Sequence, residues 1–159
     1  MTSIIFTDLK NIPRKEFIAL MNNKDVGKQL PLMTGRFSED DYFDFIQEKR
    51  DLWLTHGYGP QAYLIDKKFA GWGGLQFENG DADFALILHP NFWGWGKRIF
   101  DITIDKAFNE MNLTSITVLF PPSRKNKKAL LRFGFIEDET VRIKEQNFIR
   151  YRLYNTAFL

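Results

Sequence analysis

The stretch Asn91-Phe92-Trp93-Gly94-Trp95-Gly96-Lys97-Arg98-Ile99-Phe100 sets two glycines between bulky aromatics and two cations directly behind them. Glycine leaves backbone amides open to close approach. A helix beginning near Gly96 would present its first unpaired N–H groups, at the positive end of the helix dipole, to whatever lies there. Bare backbone, a helix start and the charges of Lys97 and Arg98 together make chemistry suited to a phosphate group. A second reading is a tight strand-to-helix turn with Trp93 and Trp95 packed as core. A P-loop would need four residues between its glycines and then Lys-Ser/Thr, and the dinucleotide fingerprint would need a glycine where Ile99 stands, so neither motif fits.

The groups able to move protons are few. With no cysteine in the chain, disulfides, thiolate metal sites and a covalent Cys intermediate are excluded, and His56 and His89 are the only imidazoles. Asp83 lies in a strand just before the glycine stretch, where it could accept a proton directly or through water, or could equally be an exposed strand residue. His89 is an imidazole beside the same stretch, or a backbone-contacting residue of the His89-Pro90 turn. Ser123, Arg124, Lys125, Asn126, Lys127 and Lys128 form a polar, cationic run that could bind a phosphate or be a solvated helix face. Trp53, Trp72 and Trp93 could line a pocket, with core packing the simpler reading.

Those residues need elements to hold them. Ser3 to Thr7 reads as a strand and Pro13 to Met21 as a helix with proline in its opening turn. Ser38-Glu39-Asp40-Asp41 is a cap followed by acidic residues, so a helix starts there. Tyr42, Phe45, Ile46, Lys49, Leu52 and Trp53 follow at helical spacing with one polar interruption, and Gly57 is the stop. Gln61 to Ile65, Phe69 to Phe77 and Ala82 to Leu88 are strands joined by the turns at Asp66-Lys67-Lys68 and Asn79-Gly80. Ile99 to about Asn112 is a helix, Ser115 to Phe120 a strand, and Pro121-Pro122-Ser123 a break. Lys125 to Phe133 is a short helix capped by Gly134, and Thr140 to Lys144 and Phe148 to Tyr154 close the chain as strands. The order is strand, two helices, three strands, helix, strand, helix, two strands, without repeats or an obvious linker, which indicates an α/β mixed sheet. At 159 residues and 44% hydrophobic, the chain is the size of one domain, 1–159, with a substantial core.

At this point the sequence resembles the GNAT superfamily of acetyl-CoA-dependent N-acetyltransferases. Their phosphate loop has the pattern Gln/Arg-x-x-Gly-x-Gly/Ala, and here Asn91-Phe92-Trp93-Gly94-Trp95-Gly96 matches it except at its first residue. His89-Pro90-Asn91-Phe92-Trp93-Gly94 is similar to the HP-x-x-WG-like segment of the ribosomal-protein-alanine acetyltransferase branch. Ser123 through Phe135 looks like the family's Asn-x-x-Ser helix ending in Gly-Phe, with the polar types exchanged at Ser123 and Asn126.

The resemblance implies a single-domain GNAT fold: a mixed, mostly antiparallel sheet of six to seven strands flanked by about four helices, with splayed central strands. It implies that acetyl-CoA lies in the gap between Ala82–Leu88 and Ser115–Phe120. Backbone amides near Ile87 and Leu88 would then hold its arm, with His89, Asn91 and Trp93 to Arg98 around the diphosphate and Ser123, Arg124 and Asn126 near the remainder. Many relatives carry a tyrosine acid where Leu130 stands, which leaves Asp83, Ser123 and Asn126 as the catalytic candidates. An amine acceptor, either a protein N-terminus or a small molecule, completes the expectation. No metal is expected, and the chain is expected to be a cytoplasmic monomer or homodimer. Two other readings remain, a CoA-binding domain without turnover and a nucleic-acid module using Phe92, Trp93, Trp95 and the Arg124 to Lys128 cations. The near-neutral net charge of +2 argues against the latter, and no apolar run or leader pattern points to a membrane.

Overall fold

A computed structural model of the chain describes residues 3–33, 35–124 and 127–159. The strands are β1 (Ile4–Thr7), β2 (Gln61–Ile65), β3 (Lys68–Glu78), β4 (Asp81–Leu88), β5 (Ser115–Phe120), β6 (Ile136–Ile143) and β7 (Gln146–Tyr154). They form a seven-stranded sheet in the order β1-β2-β3-β4-β5-β7-β6. The helices are α1 (Arg14–Met21), α2 (Lys24–Gly27), α3 (Glu39–His56), α4 (Gly96–Asp105) and α5 (Lys127–Phe133). The expected mixed, mostly antiparallel sheet is therefore found, with one helix more than expected, the short α2 between the first helix and Ser38. Among the described residues no helix is long and apolar enough to cross a membrane.

Local chemistry accounts for most of these elements. At the start of α3 the Ser38 hydroxyl accepts from the Asp41 N–H while the Asp41 carboxylate accepts from the Ser38 N–H, a reciprocal capping box. Gly57 ends the helix in the left-handed conformation. Asn79 and Gly80, both at positive φ, close the β3–β4 hairpin as their pairing predicts. The last strands differ from expectation at one end. β6 begins at Ile136 rather than Thr140, because a register shift between Glu137 and Thr140 lets pairing with β7 resume beyond it.

Two helical layers cover the sheet. On one face Phe17, Leu20 and Met21 of α1 pack with Tyr42 of α3 against Ala62, Trp72 and Ile87. Phe17 is fully buried, with the rings of Phe37, Tyr42, Phe45, Phe69 and Trp72 around it. On the other face Phe100 and Ala107 pack with Leu75, Ile116, Val118, Phe135 and Tyr151. Each large side chain moved out of water here contributes about 1.5–3 kcal/mol.

The centre of the sheet is where regularity fails. β4 and β5 run parallel but share a single register pair, Asp83 with Thr117. Beyond it β4 parts from β5 and leans onto β3, so closely that a Cβ on Gly71 or Gly73 would collide with the backbone carbonyls of Ile87 or Ala85. The resulting V-shaped gap, with Asp83 and Thr117 at its apex, is the expected splay.

Candidate active site

Asp83 sits on the α1–α3 face of β4 and is 6% exposed. The Thr117 hydroxyl donates to its Oδ1 at 2.8 Å. Burial pushes the carboxyl up to about 7, aided by the negative charges of Glu78 and Asp81 and opposed by the Thr117 hydrogen bond and Arg150. A buried carboxyl with that proton affinity, at the apex of a cleft, has the character of a group that exchanges protons near neutrality.

Two clefts meet at this apex. One, of about 460 Å³, lies on the α4–α5 face and is walled by Phe84, Leu86, Phe100, Val118, Phe120 and Leu130. The other, of about 530 Å³, lies on the α1–α3 face between Trp72, Phe45, Phe37 and Phe148. Asp83, Ala85, Ile87, Leu119 and Arg124 line both. A molecule in each could therefore touch the other through the gap.

Among the described residues the edge of β4 that faces the gap has no strand partner after Asp83. His89 donates its N–H to the Ala70 carbonyl at 2.8 Å, which fixes the side to which that amide points. Strand alternation then turns the N–H of Ile87 toward β3 and those of Leu88 and Leu86 into the gap. The Leu88 carbonyl accepts from the Trp93 indole at 3.0 Å.

Beyond β4 the glycine stretch is a 3-10 helix, Pro90–Trp95, running straight into α4. The His89 Nδ1 caps it by accepting from the Asn91 N–H at 3.1 Å. Trp93 is 51% exposed and Trp95 half-buried against the core, so neither is fully packed. Gly94 has no positive φ, and a Cβ added there would meet nothing within 4 Å. Gly96 is ordinary right-handed helix. The fold itself thus does not need Gly94, and the space over its Cα is open among the described residues.

The cations spread around the mouth of the cleft. Lys97 pairs with Asp101 at 3.0 Å, and Arg98 lies over the Trp95 ring. Arg124 stacks on Phe120 with its guanidinium carbon 4.6 Å from the ring centre. Ser123 is exposed just before it, and Leu130 turns an aliphatic side chain into the cleft. Asn126, like Lys125, lies outside the described residues.

Sequence reasoning passed over several residues that the structure brings to Asp83. Gln76 stands directly opposite it on β3, and the buried Lys49 of α3 donates to the Gln76 Oε1 at 3.0 Å. Asp81, beside the β3–β4 turn, is held bidentately by Arg152 at 2.8 and 3.1 Å, and Arg152 also reaches Asp138. Arg150 bonds Asp138 and Glu139. The polar interruption at Lys49, inside an otherwise apolar helix face, was the signal available for one of them. Of the three tryptophans considered together, Trp72 is core and borders the α1–α3 cleft, Trp53 donates to the Pro60 carbonyl, and Trp93 stands at the loop.

No protein-family profile matches the chain, and no curated protein does. Solved structures do. A GNAT-family acetyltransferase from Bacillus anthracis superposes with a TM-score of 0.71 at 15% identity, over 98% of this chain and 95% of that one. A spermidine N-acetyltransferase mutant from Vibrio cholerae gives 0.61 at 18%, covering 99% and 96%. A structure described as a ribosomal-protein-serine acetyltransferase, also from Vibrio cholerae, gives 0.64 at 18%, covering 90% of each chain. At these identities the likeness is one of fold, and the chain has the GNAT fold.

Proposed function

We propose that this chain is an N-acetyltransferase, a single domain over residues 1–159 that moves an acetyl group from acetyl-CoA directly to a primary amine. The observation that carries the reading is the buried Asp83 carboxyl at the apex of a gap open to two clefts, with one unpaired strand edge beside it.

The residues fit acetyl-CoA. The α4–α5 cleft is narrow, largely apolar and bordered by the gap-facing amides of Leu86 and Leu88, which suits an extended amide-bearing arm. The space over Gly94, which a Cβ would fill, and the start of α4 suit a diphosphate, with Trp93, Trp95, Lys97 and Arg98 around it. Arg124 is placed for a further phosphate.

When bound, acetyl-CoA supplies a thioester carbonyl activated for attack. The gap-facing N–H groups of β4 would stabilise charge developing on that carbonyl oxygen. Asp83 takes the proton that the amine loses, and the Thr117 hydroxyl holds its carboxyl in place. As the C–N bond forms the C–S bond breaks, and the proton on Asp83 balances the one the leaving thiolate needs, delivered directly or through water. Leu130 offers no acid, so much of the acceleration comes from holding two reactants in adjoining clefts. Ser123 and Asn126 are hydrogen-bonding candidates for the thiol end. Within the superfamily, the His89 to Gly94 segment favours the ribosomal-protein-alanine branch.

Thiol release from acetyl-CoA across a panel of amines, with the product mass measured, tests the proposal. Acceptor-dependent thiol release with a 42 Da gain on the amine is expected. Acetyl-CoA binding without transfer to any amine would favour the CoA-binding domain without turnover, a reading that Leu130 alone supports. A competent acetylated form of the protein would refute direct transfer.

A further inference from the structure

Lys49 is the charge that the catalytic account does not use. It lies on the core-facing row of α3, is 8% exposed, and borders the α1–α3 cleft. Its ammonium sits 5.0 Å from the centre of the Phe45 ring and 5.8 Å from that of Trp72. An ammonium has three donors. Among the described residues Gln76 accepts a hydrogen bond from it at 3.0 Å, and the exposed Glu48 carboxylate pairs with it at 3.6 Å. Burial lowers its proton affinity, opposed by the charges of Glu48 and Glu78 and reinforced by Lys144. A cation so largely desolvated at the wall of a cleft, with its carboxylate partner exposed at the surface, gains from an anion inside the cleft.

Resting on the acetyl-transfer reading, we propose that the acceptor is an α-amino acid with an apolar side chain, its amine at Asp83 and its carboxylate on Lys49. Asp83, Gln76 and Lys49 all line this cleft, and Gln76, the cross-strand partner of Asp83, accepts a hydrogen bond from the Lys49 ammonium at 3.0 Å, so one small molecule in the cleft can meet both charges. Leu30, Met33, Phe37, Phe45, Trp72 and Phe148 give the cleft an apolar wall, which suits an apolar or aromatic side chain. The same cleft is lined by the cations Lys49, Lys144 and Arg124 and by the acids Glu48, Glu78 and Asp83. The products would be an N-acetyl amino acid and free thiol, with the new C–N bond replacing the C–S bond and the amine proton passing by way of Asp83 to the thiolate.

The test compares L-phenylalanine, L-phenylalaninamide, 2-phenylethylamine and spermidine as acceptors for the wild type, Lys49→Met and Lys49→Arg. Direct binding of each amine is measured calorimetrically alongside. The wild type should prefer L-phenylalanine over 2-phenylethylamine by ten- to a hundredfold in kcat/KM, and Lys49→Met should collapse that ratio at least tenfold. Lys49→Arg should restore part of it, which separates charge from packing, and melting curves confirm that each variant is folded. Calorimetry should show L-phenylalanine binding the wild type and losing affinity in Lys49→Met, whether or not turnover occurs. Equal or better turnover of the amide, the decarboxylated amine or spermidine would overturn the proposal while leaving acetyl transfer intact. Carboxylate-dependent binding with no transfer to any amine would sustain the Lys49 site and overturn acetyl transfer. Absence of L-phenylalanine binding to a folded wild type overturns the proposal outright.

Discussion

Replacing Asp83 by Asn keeps the side chain's shape and leaves an oxygen to accept the Thr117 hydrogen bond, but removes the charge. The carboxyl titrates near 7 in the folded protein against 3.8 as its reference value. Folding therefore holds its proton more tightly than the unfolded chain does. The stability contributed by Asp83 is fully present below about pH 4 and is lost as pH rises through 7. Some three pH units at about 1.4 kcal/mol each make that loss on the order of 4 kcal/mol. At pH 8 the Asn variant should be more stable than the wild type by up to about this amount, and the advantage should shrink toward zero near pH 4. Urea unfolding of both proteins at pH 8 and pH 5 reads the difference directly. In the same variant acetyl transfer should fall by about 10² or more, because a positioned base has been removed. The wild-type kcat/KM should rise with pH through an apparent pKa near 7, a limb absent from the variant. Equal stability of the two proteins at both pH values would refute the burial argument. Full activity in Asp83→Asn would refute the role of the carboxyl as proton acceptor.

Thr117→Val removes a hydrogen bond that lowers the Asp83 pKa, so the acidic limb of the pH–rate profile should move to higher pH, at a stability cost of about 1–2 kcal/mol. Gly94→Ala should leave the melting temperature within about 2 °C of the wild type yet raise the KM for acetyl-CoA severalfold. Gly71→Ala, whose Cβ would collide with the Ile87 carbonyl, should instead cost several kcal/mol by urea unfolding. Arg124→Met should weaken acetyl-CoA more than dephospho-CoA in thermal-shift titrations, narrowing the difference between the two ligands.

Features set by neighbours in sequence were open to reading. The capping box at Ser38, the stop at Gly57, the Asn79-Gly80 turn and the alternation of the hairpin strands depend on local dihedral preference and on periods of 3.6 or 2. The seven strands are legible from alternation and turns, whereas the splay of the central ones comes from the resemblance carried by the glycine stretch and the Ser123 to Phe135 segment. What escaped depends on partners far apart in the chain. Arg152 and Asp81 are 71 residues apart, and Lys49 and Gln76 are 27 apart, and no local pattern couples such pairs. The need for glycine at 71 and 73 arises from a strand folding back over them, so composition gives no hint of it. The loop after β4 also differs in kind from a bare turn, since His89 and Pro90 together start a 3-10 helix that delivers α4 without a break.

The most direct test of the central claim is an amide NMR titration of the ¹⁵N-labelled protein with acetyl-CoA. The gap between β4 and β5 as the acetyl-CoA site predicts that the largest shifts fall on Phe84 to Leu88 and on Trp93 to Lys97, with Thr117 moving at the apex. No shifts at millimolar acetyl-CoA, or shifts confined to residues away from the gap and the glycine stretch, would contradict it.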